Sequence, residues 1–193
     1  MAETTNTPEF GAGAADDKDG AADEDPGPSP FDLLIEFQGW RELDGVEQMV
    51  SRAWQACADR VGGIAGRELS ISLSSDDAVA ELNARYRGKN QPTNVLSFPA
   101  ADAPAMPDGE PLPLGDIIIA YETLIQEARS ENKPPLFHLA HLAVHGILHL
   151  AGYDHQTDDE AERMENLERE ILASMTIPDP YLAPTEEQTE AIG

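Results

Sequence analysis

Apolar residues recur at every second position in some stretches of this chain and at every third or fourth in others, and these two rhythms place most of its elements. Phe31-Asp32-Leu33-Leu34-Ile35-Glu36-Phe37 reads as a first strand, and residues 43–60 follow at helical spacing with the stripe Val46, Met49, Val50, Ala53, Trp54, Cys57. Leu69-Ser70-Ile71-Ser72-Leu73 alternates, as a strand with one covered face does. Ser74 or Ser75 caps the next helix, whose Val79, Leu82 and Tyr86 are expected to point inward. Residues 85–94 read as a basic loop feeding a short strand that Pro99 stops, and residues 99–114, with five prolines, read as a second loop. Asp116-Ile117-Ile118-Ile119-Ala120 is a further strand, and Tyr121, Leu124, Ile125 and Ala128 mark a short helix. Residues 135–151 are apolar on nearly every side apart from their histidines, the pattern of a helix buried at the centre of a domain. Thr157 with Glu160 forms a capping box, opening a last helix with the stripe Ala161, Met164, Leu167, Ile171, Leu172, Met175. The sum is an α+β layer fold, a small mixed sheet of about four strands packed with about five helices.

Composition divides the 193 residues into a body and two ends. Residues 1–30 are mostly Ala, Gly, Asp, Glu and Pro, with almost nothing to bury, and are expected to form a disordered acidic tail. Residues 31–177 form the single domain, and 178–193 are expected to be a flexible acidic tail. A body of about 150 residues buries some 68–70% of its unfolded surface, enough for a core without cross-links. The single cysteine, Cys57, falls on an apolar stripe and suits a reducing compartment. The start of the chain lacks the basic and apolar segments of a signal peptide, and no stretch nears the ~20 apolar residues of a membrane span. The expectation is a soluble, cytoplasmic protein with no membrane partner. Of the net charge of −25, the two ends carry −7 and −4, leaving −14 on the body. Such a surface disfavours non-specific nucleic-acid binding, so RNA would need a local positive site.

The candidate chemistry lies in His145-Gly146-Ile147-Leu148-His149-Leu150-Ala151-Gly152-Tyr153-Asp154-His155. Histidines four apart share a helix face, with Cβ atoms about 5–6 Å apart, close enough to converge on one ion. If the helix continued, His155 would point roughly 240° away from His149. Gly152 is placed to end the helix in the left-handed conformation and swing His155 back. Three nitrogens leave a fourth tetrahedral position open, the catalytic arrangement of zinc. Zinc is preferred for this ligand type, with nickel, copper or cobalt open to the same nitrogens. His138 and His141 extend the stripe backwards; either could serve as an alternative ligand, a group behind the ligands or an acid–base residue, but they read first as buried polar residues with hydrogen-bond partners, outside the metal set. Asp154 reads either as a group that orients a ligand or as a turn-stabilising residue, and Met164 as core.

A zinc-bound water with a pKa near 7 makes hydrolysis the default chemistry. The spacing overlays on H-E-x-x-H-x-x-G-x-x-H, the metzincin protease signature, at His145, His149, Gly152 and His155. The position of that signature's general-base glutamate holds Gly146, which argues against peptide hydrolysis. Phosphodiester cleavage asks instead for a cation beside the phosphoryl oxygens. Arg85, Arg87 and Lys89 are three of the chain's twelve basic residues, and Arg87 suits a bidentate phosphate contact as well as a solvated loop. Thr93, Asn94 and Ser97 add hydrogen-bonding groups beside it. No general base is identified.

The histidine segment resembles the signature of the YbeY family of bacterial endoribonucleases. Leu82-Asn83, Tyr86-Arg87-Gly88-Lys89 and Pro92-Thr93-Asn94-Val95-Leu96-Ser97-Phe98-Pro99 resemble that family's second block, and Leu114-Gly115-Asp116-Ile117 a third, over roughly residues 31–175. The resemblance implies a single-strand-specific, metal-dependent endoribonuclease acting in ribosomal RNA maturation, especially at the 3′ end of 16S rRNA, and in ribosome quality control. It implies RNA and the ribosome or small-subunit proteins as partners, zinc on His145, His149 and His155, and a functional arginine at Arg87. Two other readings stand beside it: a metal-dependent hydrolase of another class, and a ribosome-assembly factor that uses metal only to hold its shape.

Overall fold

The computed structural model describes residues 31–100 and 112–182. The regions 1–30 and 183–193, and most of the proline-rich stretch, lie outside the described residues. Four strands form one sheet in the order β1-β2-β4-β3: β1 (Phe31–Ile35), β2 (Glu68–Ser74), β3 (Val95–Pro99) and β4 (Pro113–Ala120). β1, β2 and β4 run parallel, and β3 is antiparallel to β4. Five α-helices complete the fold: α1 (Val46–Arg60), α2 (Asp76–Arg87), α3 (Tyr121–Ser130), α4 (Pro135–Leu150) and α5 (Asp158–Ser174). The expected α+β architecture is therefore present.

Alternation along the strands decides which face is covered. Leu69, Ile71 and Leu73 of β2 stand in register with Gly115, Ile117 and Ile119 of β4, and these apolar side chains are fully buried on one face of the sheet. Against that face packs α4, and α1 and α5 pack on α4 in one continuous core. The whole stripe read for α1 is buried, Cys57 included. Burial and, next, the charge of Glu168 push the Cys57 thiol up to about 12, so it stays an unreactive core residue. The other face is covered only in part: Val79 of α2 meets Leu96 and Ala120 in a second, smaller cluster.

Helix α4 runs through the centre, in contact with α1, α3, α5, β3 and β4. Ten of its side chains or backbone positions are buried, which explains an apolar composition on nearly every side. Gly146 lets it lie this close to the sheet. A Cβ there would stand 2.9 Å from Ile117 Cδ1 and 3.2 Å from Ser97 Oγ, tighter than ordinary contact. The glutamate of the metzincin pattern is thus excluded by packing: position 146 faces β4 rather than the histidine side.

Several local expectations change. Arg85, Tyr86 and Arg87 are the last turn of α2, which Gly88 ends, rather than a loop. Tyr86 was expected inward but is 61% exposed, its ring lying 5.0 Å from Phe98 at the sheet edge. Helix α2 covers only a corner of the sheet, so one apolar position per turn suffices to bury it. Pro99 and Pro113 belong to strands: Pro99 ends the edge strand β3 and Pro113 is the first residue of β4, both places where a missing N–H is tolerated. The first strand stops at Ile35, and a 3-10 helix over Gln38–Glu42 buries Trp40, whose Nε1 donates to the Ser74 carbonyl at 3.0 Å.

Candidate metal centre and its cleft

Helix α4 ends three residues before Tyr153 in a pair of nested hydrogen bonds. Tyr153 N donates to Leu148 O and Gly152 N to His149 O, both at 3.0 Å, with Gly152 at φ +93°. This is a Schellman termination, and glycine takes its left-handed position without a Cβ penalty. The turn continues through Asp154, which accepts from His155 N at 2.8 Å and from the Gln156 side chain. Those two bonds, the backbone one first, hold the Asp154 carboxyl below its usual range. Asp154 stabilises the turn and also lines the cleft in front of the histidines.

The result is convergence. One nitrogen from each of His145, His149 and His155 lies within 4.8 Å of the others, a group able to hold a metal ion. His145 Nδ1 donates to Glu168 Oε1 at 2.7 Å, and His149 Nδ1 donates to the Tyr153 carbonyl at 3.0 Å. Both acceptors lack a proton to give, so each ring carries its hydrogen on Nδ1 and presents a lone pair at Nε2. The two Nε2 atoms are 3.0 Å apart. Two lone pairs at that separation repel unless a proton or a cation lies between them. In a tetrahedral zinc site with bonds of about 2.0–2.1 Å, two ligand nitrogens stand about 3.3–3.4 Å apart, so the observed spacing fits with a small adjustment. Burial first, and the neighbouring His145 next, lower the pKa of His149, favouring the neutral imidazole that ligation requires. The His155 ring has no hydrogen-bond partner among the described residues, and it is exposed.

An open cleft of about 500 Å³ leads to these rings, lined by Arg87, Thr93, Asn94, Ser97, Tyr153, Asp154 and the three histidines among others. Arg87 is exposed at the end of α2 and makes no hydrogen bond or ion pair among the described residues. The two sequence blocks, more than forty residues apart, are therefore walls of one cleft. Asn94 joins it to the interior: its Oδ1 accepts from Val95 N at 2.8 Å, and its Nδ2 donates to Glu127 at 3.0 Å.

His138 and His141 have the partners expected of buried polar residues. His138 Nε2 bonds Glu127 Oε2 at 2.8 Å, and His141 Nε2 bonds Glu168 Oε2 at 3.2 Å. Met164 is buried core. Glu168 is the residue that sequence reasoning passed over. Burial opposes its ionisation, but hydrogen bonds from His141, His145 and Tyr181 outweigh that and bring its carboxyl down to about 2. The signal was a charged residue on the stripe of α5: Glu168 sits four after Met164 and three before Ile171, on the core-facing side.

Fold and site together define an α+β protein with a three-histidine group, able to hold a metal ion, at the foot of a cleft with a cationic wall. The family model for Endoribonuclease YbeY matches residues 35–176. An Endoribonuclease YbeY from Rhodopseudomonas palustris is 53% identical over 154 residues, covering 79% of this chain and 81% of its own. One from Nitrobacter winogradskyi is 52% identical over 161 residues, covering 82% and 84%. A solution structure from Thermotoga maritima aligns over 81% of this chain and 99% of its own at 26% identity, with a TM-score of 0.47. The chain belongs to the YbeY endoribonuclease family. No helix among the described residues is long and apolar enough to cross a membrane.

Proposed function

We propose that this chain is a metal-dependent endoribonuclease that cuts single-stranded RNA, with His145, His149 and His155 holding one zinc ion and Arg87 holding phosphate. The observation that carries this reading is the pair of imidazole lone pairs aimed at one point, 3.0 Å apart, below a cleft whose wall bears an unpaired guanidinium. The curated relatives named as endoribonucleases support the reaction class, and ribosomal RNA processing, especially at the 3′ end of 16S rRNA, is the proposed setting. The small subunit is the proposed partner and the cytoplasm the proposed location.

A bound zinc ion supplies Lewis acidity toward a phosphoryl oxygen and a nucleophile at neutral pH. The chain supplies the rest. Arg87 offers two parallel N–H groups to phosphate oxygens and stays charged at any working pH. Its lack of a carboxylate partner among the described residues matters on a body of charge −14, where it offers the local positive site that an RNA strand needs. Thr93 and Ser97 offer hydroxyls along the same wall. Glu168 and the Tyr153 carbonyl keep both Nδ1 hydrogens in place, so both Nε2 atoms face the cleft. Gly146 leaves the histidine side without the carboxylate that peptide hydrolysis uses, which speaks against a peptidase.

The test is cleavage of a single-stranded RNA oligomer by zinc-loaded protein beside identically purified His149→Ala. Cleavage that vanishes in the variant supports the assignment, and equal cleavage by both points to a contaminant. A zinc-bound wild type that leaves RNA intact points to the non-catalytic assembly role.

A further inference from the structure

We infer that Glu168, clamped by the segment that follows α5, is the positioning residue of the metal centre, setting the tautomer and orientation of His145 from behind. This rests on the zinc reading of the three histidines and deepens it.

Glu168 is 0% exposed. A carboxylate removed from water is costly unless its oxygens are filled by hydrogen bonds. Here both are filled, and unequally. Oε1 is given to His145 Nδ1 alone, at 2.7 Å. Oε2 is shared by His141 Nε2 at 3.2 Å and by the Tyr181 hydroxyl. His141 and Tyr181 therefore fix one end of the carboxylate so that the other points at a ligand imidazole. An ionised carboxylate only accepts, so His145 must keep its hydrogen on Nδ1 and leave Nε2 free. This is how outer partners orient ligand histidines and raise their basicity.

Tyr181 comes from a stretch first expected to be tail, and four contacts hold it down. Arg169 Nε lies 3.3 Å from Asp179 Oδ2, and its guanidinium sits 4.7 Å over the Tyr181 ring. Lys133 Nζ donates to the Pro180 carbonyl. The Tyr181 ring also meets His141 edge-on at 5.5 Å. Residues 179–181 thus form a strap across α5 whose tyrosine completes the bonding of Glu168. A merely structural ion pair would need no such division of oxygens between a ligand and two clamps.

The experiment is zinc affinity of the full chain by competition with a chromophoric chelator, for wild type, Glu168→Gln, Glu168→Asp and Tyr181→Phe. Alongside it, the ¹⁵N shifts of His145 are read in zinc-free wild type. Glu168→Gln should weaken zinc binding by about 10–100-fold, Glu168→Asp should recover part of that, and Tyr181→Phe should lose a smaller factor. His145 should show the Nδ1–H form. Zinc affinity of Glu168→Gln within twofold of wild type overturns the inference while leaving the zinc reading intact. So does a His145 ring protonated on Nε2 alone, an outcome read on wild type even if Glu168→Gln fails to fold. A wild type that binds no zinc overturns the zinc reading itself.

Discussion

Behind the histidine stripe of α4 the polar partners are carboxylates of the protein: Glu168 on His141 and His145, and Glu127 on His138. In front of it, on the cleft, stand the hydroxyls of Thr93 and Ser97 and an arginine that makes no ion pair among the described residues. One side spends its hydrogen-bonding capacity on orienting rings, and the other keeps its capacity for a ligand. His155 shows the same contrast within the ligand set. His145 is held by a buried carboxylate and His149 by a backbone carbonyl, whereas the ring of the turn-borne His155 is held by neither. The third proposed ligand is thus free of such a restraint, while the pair on the helix is held by the protein itself.

His149→Ala should have the largest effect, because it removes one of the two facing lone pairs. Zinc stoichiometry, measured by atomic absorption on desalted protein, should fall from one to near zero, and RNA cleavage should be lost with it. Arg87→Ala comes next and acts only on the front. The rate constant for cleavage should drop about 100–1000-fold, the cost of losing one preorganised donor to developing charge. Zinc content and melting temperature should stay at wild-type values, and a lower zinc affinity would break the division of labour between the two sides. Arg87→Lys should restore only part of the rate, since an ammonium lacks the bidentate fork.

Gly146→Ala strikes neither side directly. Its new methyl group meets Ile117 Cδ1 at 2.9 Å and Cγ2 at 3.1 Å, so either the Ile117 side chain repacks or α4 shifts from the sheet. Overpacking of this kind costs about 1–3 kcal/mol, a fall of roughly 2–12 °C in melting temperature for a chain of this size. An unchanged melting temperature would show that the helix has slack here.

The helix that carries the ligands was legible because each of its signals is local: apolar residues all round, histidines four apart, a glycine where the chain must turn. The capping box of α5 was legible for the same reason, and Thr157 and Glu160 make both of its hydrogen bonds. Arg87 was singled out from the loop's charge and from resemblance, but its place across a cleft from His145 depends on sheet order, which no local pattern carries. Tyr86 failed for a related reason. Its spacing matches Val79 and Leu82, yet how much of α2 is covered is set by the width of the sheet beneath it. Glu168 was hidden because its partners are His141 and His145, over twenty residues away on another helix, and only its misplacement on an apolar stripe hinted at them.

Asn94 touches both sides, lining the cleft and donating to Glu127, so the smallest prediction probes the join. Burial works against ionisation of Glu127, but hydrogen bonds from His138 and Asn94, with the nearby His138 and His141 rings, prevail and lower its pKa. His138 and His141 face it from α4, and Asn94 faces it from the start of β3. A depressed folded-state pKa means that the ionised form is favoured by folding. The stabilisation is therefore full above the unfolded value of about 4.3 and is lost as pH falls through the lower folded value. Glu127→Gln should melt below wild type at pH 7 by about 3 °C or less, given that the group is one-third exposed. That gap should close as pH drops below about 4. A gap that stays constant from pH 7 to 3 would show that the charge of Glu127 is idle. In the cleavage assay the same variant, by loosening Asn94, should raise KM and leave kcat unchanged; a loss in kcat instead would place Glu127 with the residues that hold the metal ligands.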